Sequence, residues 1–210
     1  MHAAKQGNDM NKRILLAGVL GAIAMFIWAS IAPMVLQLGE TGFKEIPSEA
    51  TVLSSLQASL GTNSGLYIYP GLGLPANATR QQKNEAMQAV EQKLATTPSG
   101  ILIYHPPGEE GFSARHLITE FITELAEALI AVFLLSQTRI SNYLGRVGFI
   151  ALVGLAAVIT TNVSYWNWYG FPSNYTLAYM FTEFMGYVFA GLVAAKVLGK
   201  STPAVLSKAA

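Results

Sequence analysis

Apolar residues in this chain gather into four long runs, and one stretch between the first and second follows shorter periods. The runs are Ile14–Leu36, Leu117–Leu135, Val147–Val163 and Tyr175–Leu198. A helix of about 20 apolar residues crosses a hydrocarbon layer of about 30 Å, and all four runs are close to that length or exceed it. With their flanks they give predicted transmembrane helices at 14–37, 116–137, 143–164 and 175–198, the third extended back to Tyr143. The first run resembles a signal peptide only in position. Its apolar core is too long, and the small-residue site Ser30-Ile31-Ala32 is followed by Pro33, which disfavours cleavage. It reads as an uncleaved anchor kinked by Pro33 near its outer end. Met10, just ahead of Lys12-Arg13, is an alternative start of translation.

Basic residues lie to one side of these spans. Lys5, Lys12, Arg13, Arg139, Arg146, Lys196, Lys200 and Lys208 fall in the short segments that share a side, and the rule that such segments stay in the cytoplasm orients the chain. The N-terminal tail 1–13 and the C-terminal tail 199–210 are expected in the cytoplasm, and the long segment 38–115 outside it. The expected location is the cell's inner (cytoplasmic) membrane, multi-pass, with a periplasmic domain.

The segment 38–115 carries its own punctuation. Pro47-Ser48-Glu49 precedes a helix through Leu60, with Val52, Leu53, Leu56 and Leu60 at helical spacing. Leu66–Tyr69 reads as a strand stopped by Pro70-Gly71. Thr79 caps a second helix to about Ala95, and Ile101–Tyr104 reads as a second strand. The two halves resemble each other: Glu49-Ala50 leads to Gly65-Leu-Tyr-Ile-Tyr-Pro70, and Glu85-Ala86 to Gly100-Ile-Leu-Ile-Tyr-His-Pro106. A helix–strand duplication is one explanation and chance similarity the other. The fold class is therefore an α-helical integral membrane protein, with four transmembrane helices and a small α/β extracytoplasmic domain inserted between helices 1 and 2. A two-stranded unit is marginal alone and should lean on a partner, on the membrane or on a second copy.

Composition narrows the function. Charged residues make up 12% of the chain and apolar ones 52%, as membrane proteins require. A net charge of +1 lacks the basic surface that a nucleic-acid binder needs. Without cysteine there is no disulfide, thiolate metal site or thiol catalysis.

The second run holds the most informative residues. In His116–Leu135 the steps of four, four and three place His116, Glu120, Glu124 and Glu127 on one helical face, within an arc of roughly 80°. An ionisable group in a bilayer costs about 2.5–3.5 kcal/mol even on the milder insertion scales, which makes it a functional candidate. Glu127 lies twelve residues before Arg139, about 18 Å at the helical rise, near the midplane. Glu183 of the fourth span should lie at similar depth, flanked one turn away by Tyr179 and Tyr187 as hydrogen-bond donors. The polar end Thr160-Thr161-Asn162-Val-Ser164 of the third span could complete the same pocket.

Such a seam fits proton or cation passage, a docking surface, or a metal site on His116, Glu120 and Glu124. A wet vestibule without function is the plain alternative. Metal-binding bundles use Glu-x-x-His, which this order is not.

Two further patterns concern assembly. Ala178, Thr182, Gly186, Ala190 and Ala194 form a small-residue ridge on the fourth span, suited to close packing within the bundle or to contact with another subunit or copy. Trp166, Trp168 and Tyr169 suit a membrane–water interface, with a stacking platform for a quinone, pigment or sugar as the alternative. No motif names a cofactor, and none resembles a catalytic triad, a phosphate-binding loop or a metalloprotease helix.

The leading expectation is a non-catalytic accessory or scaffolding subunit of a larger membrane assembly, bound to other membrane subunits or to its own copies within the lipid bilayer. The alternative is a proton- or cation-coupled transporter or channel component using the glutamate seam. A metal- or cofactor-dependent membrane enzyme using His116, Glu120, Glu124 and Glu183 ranks third.

Overall fold

The computed structural model describes residues 2–108 and 111–199, so most of the predicted C-terminal tail, with Lys200 and Lys208, lies outside the described residues. The chain is mostly helical. In order it forms α1 (His2–Val35), a 3₁₀ turn (Leu38–Glu40), α2 (Glu49–Leu60), β1 (Gly65–Tyr69), α3 (Arg80–Leu94), β2 (Gly100–Tyr104), α4 (Ala114–Ser136), α5 (Tyr143–Tyr169) and α6 (Ser173–Leu198). Two compact units result: the helical unit up to Phe43 and from Phe112 onward, and a smaller unit over Lys44–Gly111. Three helices, α1 over Asp9–Val35, α5 and α6, are long and apolar enough to cross a membrane. This is the pattern of a multi-pass membrane protein, and the apolar surfaces of the three helices suit contact with lipid.

In the helical unit α6 packs extensively on α1 and on α5, and α4 packs on α1 while touching α5 and α6 little. The reason is side-chain size. Gly21 of α1 faces Ala190 of α6, and Gly191 faces Val147 of α5. Gly18 lies against Leu129 of α4, and the Tyr187 ring rests on Gly154 where a Cβ would collide with it. The buried core is built largely of alanine, with Val132, Leu135 and Ile150 filling it. Large aliphatic side chains turn outward instead, among them Leu15, Ile27, Leu152, Ile159 and Leu177. Lipid tails solvate such residues as well as a protein core does, so tight packing of small residues remains as the force between helices.

One buried cation ties two helix ends together. The Arg146 guanidinium donates to the Ile140 carbonyl at 3.0 Å and to the Gly199 carbonyl just past α6. Carbonyls at helix ends lack intrahelical partners and are good acceptors for a cation.

Element bounds depart from the predicted ones in two places. α1 begins well upstream of the apolar run. α5 continues past the predicted end at 164 to Tyr169, so Trp166, Trp168 and Tyr169 sit on the helix and not in a link. No glycine or proline interrupts those turns; the helix stops at Gly170, whose φ of 70° is left-handed, and Pro172 then caps α6.

The smaller unit consists of α2, α3 and one antiparallel hairpin-like pair, β1 with β2. Thr79 and Gln82 close a reciprocal capping box at the start of α3. The strand register pairs Gly65 with Tyr104, Tyr67 with Leu102 and Tyr69 with Gly100. Each glycine therefore opposes the other strand's tyrosine, and a local two-fold axis through Tyr67 and Leu102 relates the repeated Gly-x-x-Ile-Tyr segments. Tyr104 is buried, and its hydroxyl donates to the Gly61 carbonyl at 2.9 Å. The opposite face leaves Leu66 (70% exposed), Ile68 (71%) and Ile103 (65%) uncovered.

The contrast between two glycines of α5 gives a test. Nothing lies within 4 Å of a Cβ on Gly148, whereas one on Gly154 meets the Tyr187 ring. Gly154→Ala should destabilise by about 1–3 kcal/mol, lowering the thermal midpoint in detergent by several degrees. Gly148→Ala should leave it unchanged or raise it, because alanine is the better helix former. Equal effects of the two substitutions would show that the α5–α6 contact is loose.

Candidate functional site

Because α4 leans on α1 and stands off from α5 and α6, the bundle holds an open cavity of about 400 Å³. Its walls follow from helical periodicity. α4 contributes Glu120, Thr123, Glu124 and Glu127, one stripe at steps of four and three. α6 contributes two neighbouring stripes, Tyr179, Glu183 and Tyr187 beside Ala178, Thr182 and Gly186. Met25, Trp28, Ala29 and Pro33 come from α1, and Ala157, Val158 and Thr161 from α5. Among the described residues no lysine or arginine lines the cavity.

The four carboxylates have different surroundings. Glu183 accepts a hydrogen bond from Asn162 Nδ2 at 2.6 Å, and the same nitrogen reaches the Val158 carbonyl at 3.1 Å. Glu127 has the Tyr187 hydroxyl as its hydrogen-bonding neighbour. Glu120 is exposed at the rim. Glu124 is the exception. It is only 6% exposed, and its Oε2 is buried without a hydrogen-bond partner among the described residues. Most buried polar atoms in proteins are satisfied, so a lone buried acceptor calls for an explanation.

The remaining walls are apolar and aromatic. Trp28 is fixed by its indole N–H, which donates to the Thr182 carbonyl at 2.8 Å, and by ring contacts with Phe181 and Phe189. Tyr179 stacks on Tyr175 with centroids 5.1 Å apart. From there a file of rings continues through Phe171 (5.4 Å) to Tyr165 (5.6 Å), with Phe43 beside Tyr175.

The structure thus brings Glu120, Glu124, Glu127, Glu183, Tyr179 and Tyr187 to one cavity. It does not bring His116, Glu120 and Glu124 together as metal ligands. Among the described residues no group of three His, Asp or Glu side chains is placed to hold a metal ion. His116 and Glu124 are two turns apart, about 12 Å along the axis, against metal–ligand bonds of about 2 Å. His116 instead caps α4: its Nδ1 accepts from the Ser113 amide at 3.2 Å, and its ring stacks on Phe112.

The small-residue ridge turns inward as well. Ala178, Thr182 and Gly186 line the cavity, Ala190 meets Gly21, and Ala194 is fully buried. Trp168 is 79% exposed, Tyr169 is half-exposed, and Trp166 donates to the Ser173 hydroxyl at 3.0 Å. Sequence patterning missed Trp28, because a tryptophan inside an unbroken apolar run carries no signal of the face it occupies.

The Asn162–Glu183 pair can be measured directly. Asn162→Ala should cost about 1–3 kcal/mol by stranding a buried acceptor. The same substitution in a Glu183→Leu background should cost well under half of that. Additive losses in this double-mutant cycle would show that the two side chains are not coupled. In comparison with known proteins, no family model, curated protein or solved structure matches this chain, so its function rests on the chemistry of the cavity.

Proposed function

We propose that this chain is a four-span membrane protein whose carboxylate-lined cavity binds a cation or proton as a component of a transporter or channel. The observation that carries the reading is the buried, unpartnered Oε2 of Glu124, set among three further acids with no basic residue in the lining among the described residues. A carboxylate in such a place takes up a proton or holds a cation, because a bare buried charge is too costly to maintain.

The fourth span of this reading is α4. Its 23 residues reach about 34 Å, and it presents Ile118, Ile122, Ile130 and Phe133 on the side away from the buried Ala128, Ala131 and Val132. The glutamates then face protein and cavity, as intramembrane acids do. With Arg139, Arg146 and Lys196 at the cytoplasmic side of the inner membrane, both termini are cytoplasmic, the acids lie between the midplane and the outer leaflet, and the segment 38–115 is extracytoplasmic. Toward the cytoplasmic end the alanines with Val132, Leu135 and Ile150 close the bundle. A through path therefore needs a second copy, a partner subunit or a rearrangement, which makes the chain one component of a pathway.

A second reading, the non-catalytic accessory or scaffolding subunit, is favoured by the uncovered apolar face of Leu66, Ile68 and Ile103 in the smaller unit. The ridge on α6 no longer favours it, since α1 of the same chain occupies the lower part of that ridge.

Flux in proteoliposomes separates the two. Proton, sodium and potassium fluxes driven by imposed gradients should fall at least tenfold in Glu127→Gln, with expression and monodispersity retained. Wild-type protein that moves none of these ions even when reconstituted with the subunits that co-purify with it would favour the scaffolding role; unchanged flux in Glu127→Gln would remove the seam from the pathway.

A further inference from the structure

We propose that the cavity takes an organic ammonium ion, one that carries N–H donors and a slim apolar body, with its nitrogen on Glu124. This rests on reading the cavity as a cation site and names the class of cation. The argument starts from an account of acceptors. Glu183 accepts from Asn162, Glu127 has the Tyr187 hydroxyl as its neighbour, and Glu120 is exposed at the rim. Among the described residues, the fully buried side-chain acceptor left without a partner is Glu124 Oε2. What fits there is an N–H or O–H donor brought by a ligand, and a charged N–H donor makes the stronger bond.

Volume and lining then select the rest of the ligand. A water molecule occupies about 30 Å³, so a cavity of about 400 Å³ exceeds what a dehydrated inorganic ion fills. It falls instead in the size range of small-molecule pockets, of about 300–1,000 Å³. The carboxylates are spread along α4, Glu120 to Glu127 covering about 10 Å of the axis, and no three His, Asp or Glu side chains among the described residues converge on one point. A metal ion needs such convergence, whereas an alkylammonium ion needs one or two oxygens at its nitrogen and apolar surface along its chain. Met25, Trp28, Val158, Ala178 and Gly186 supply that surface.

The approach is also suited to an organic cation. Tyr179 lines the cavity and ends the ring file Tyr165–Phe171–Tyr175–Tyr179. Aromatic faces attract ammonium groups by about 0.5–2 kcal/mol each, so successive rings offer a graded path from an exposed aromatic end of the bundle to the acids. Quaternary ammonium ions would be attracted by the rings but cannot donate to Glu124. The prediction is therefore discrimination by N–H donors, with charge and alkyl length held constant.

Calorimetric titration of the full-length protein in lipid nanodiscs provides the test, with n-butylammonium, N,N,N-trimethylbutylammonium, n-butanol, sodium and magnesium as probes. Butylammonium should bind at least tenfold more tightly than its trimethyl analogue and than butanol. Glu124→Gln should weaken butylammonium at least tenfold, whereas Glu85→Gln, on an exposed helix of the smaller unit, should not. Ala157→Leu provides a second variant that leaves the acids in place. By narrowing the cavity it should move the preference toward ethylammonium over hexylammonium.

Equal binding of the primary and quaternary ions, or butylammonium binding unaffected by both variants, would overturn the assignment. Binding of sodium or protons alone would overturn it too while leaving the cation-site reading intact. If no cation binds at all, both fall, and Glu124 is met by water only.

Discussion

Backbone proximity along α6 is the constraint on which the helical unit depends. Gly186, Ala190, Gly191 and Ala194 are all buried, and they let α1 and α5 approach from two sides at distances no larger side chain would permit. Helices in lipid gain little from hiding apolar surface, so van der Waals contact at such short range has to hold them. α4 has no comparable stripe toward α6; its own Ala128 and Ala131 face the core that it shares with α1. The cavity is a consequence of this asymmetry. Three helix pairs, α1–α6, α5–α6 and α1–α4, pack closely, and the approach of α4 to α5 and α6 is left open where the glutamates are.

The polar groups of the unit obey one rule, that inside a bilayer each must find a partner within the protein. Asn162 gives its amide to Glu183 and to a carbonyl one turn back. Trp28 donates across to α6, Tyr143 donates to the Leu192 carbonyl at 3.1 Å, and Arg146 serves one carbonyl in the α4–α5 loop and one just past α6. Thr160, Thr161, Thr176 and Thr182 bond to their own helices four residues back. Against that background Glu124 Oε2 stands apart, and it does so on the helix that packs least tightly with the cavity's other walls.

How much of this was legible in the chain depends on which physical signal each feature leaves. Apolar run length and the Gly/Pro punctuation mark the long helices and the two strands, because burial and backbone stiffness act locally. The acids could be placed on one face of α4 from spacing alone, since 3.6 residues per turn is fixed by the backbone. Their arrival beside Glu183 needed a depth argument, and the polar end of α5 pointed to Asn162 only as a type of residue. The extension of α5 through Trp166, Trp168 and Tyr169 leaves no clear signal, because aromatics so often mark an interface while nothing in those residues breaks a helix. Trp28 left no trace, because a helix apolar on every side shows no preferred face. The ridge on α6 was visible, but whether it meets a helix of the same chain or a partner is a question of tertiary packing that no local pattern answers.

The proposed binding role of the seam agrees with its energetics. A glutamine at position 124 would keep the shape and remove the charge, and a leucine would fill the wall with no polar demand at all. Either would suit a purely structural wall better than a carboxylate with an empty acceptor, because removing buried ionic groups is often neutral or stabilising. The same holds for Glu127 and Glu183, whose tyrosine and asparagine partners offset part of their desolvation but supply no positive charge. Four acids around one cavity without a base in its lining are a standing electrostatic cost. On the reading proposed above, positive charge from outside the chain, a proton or a cation, relieves that cost and completes the cavity as a site.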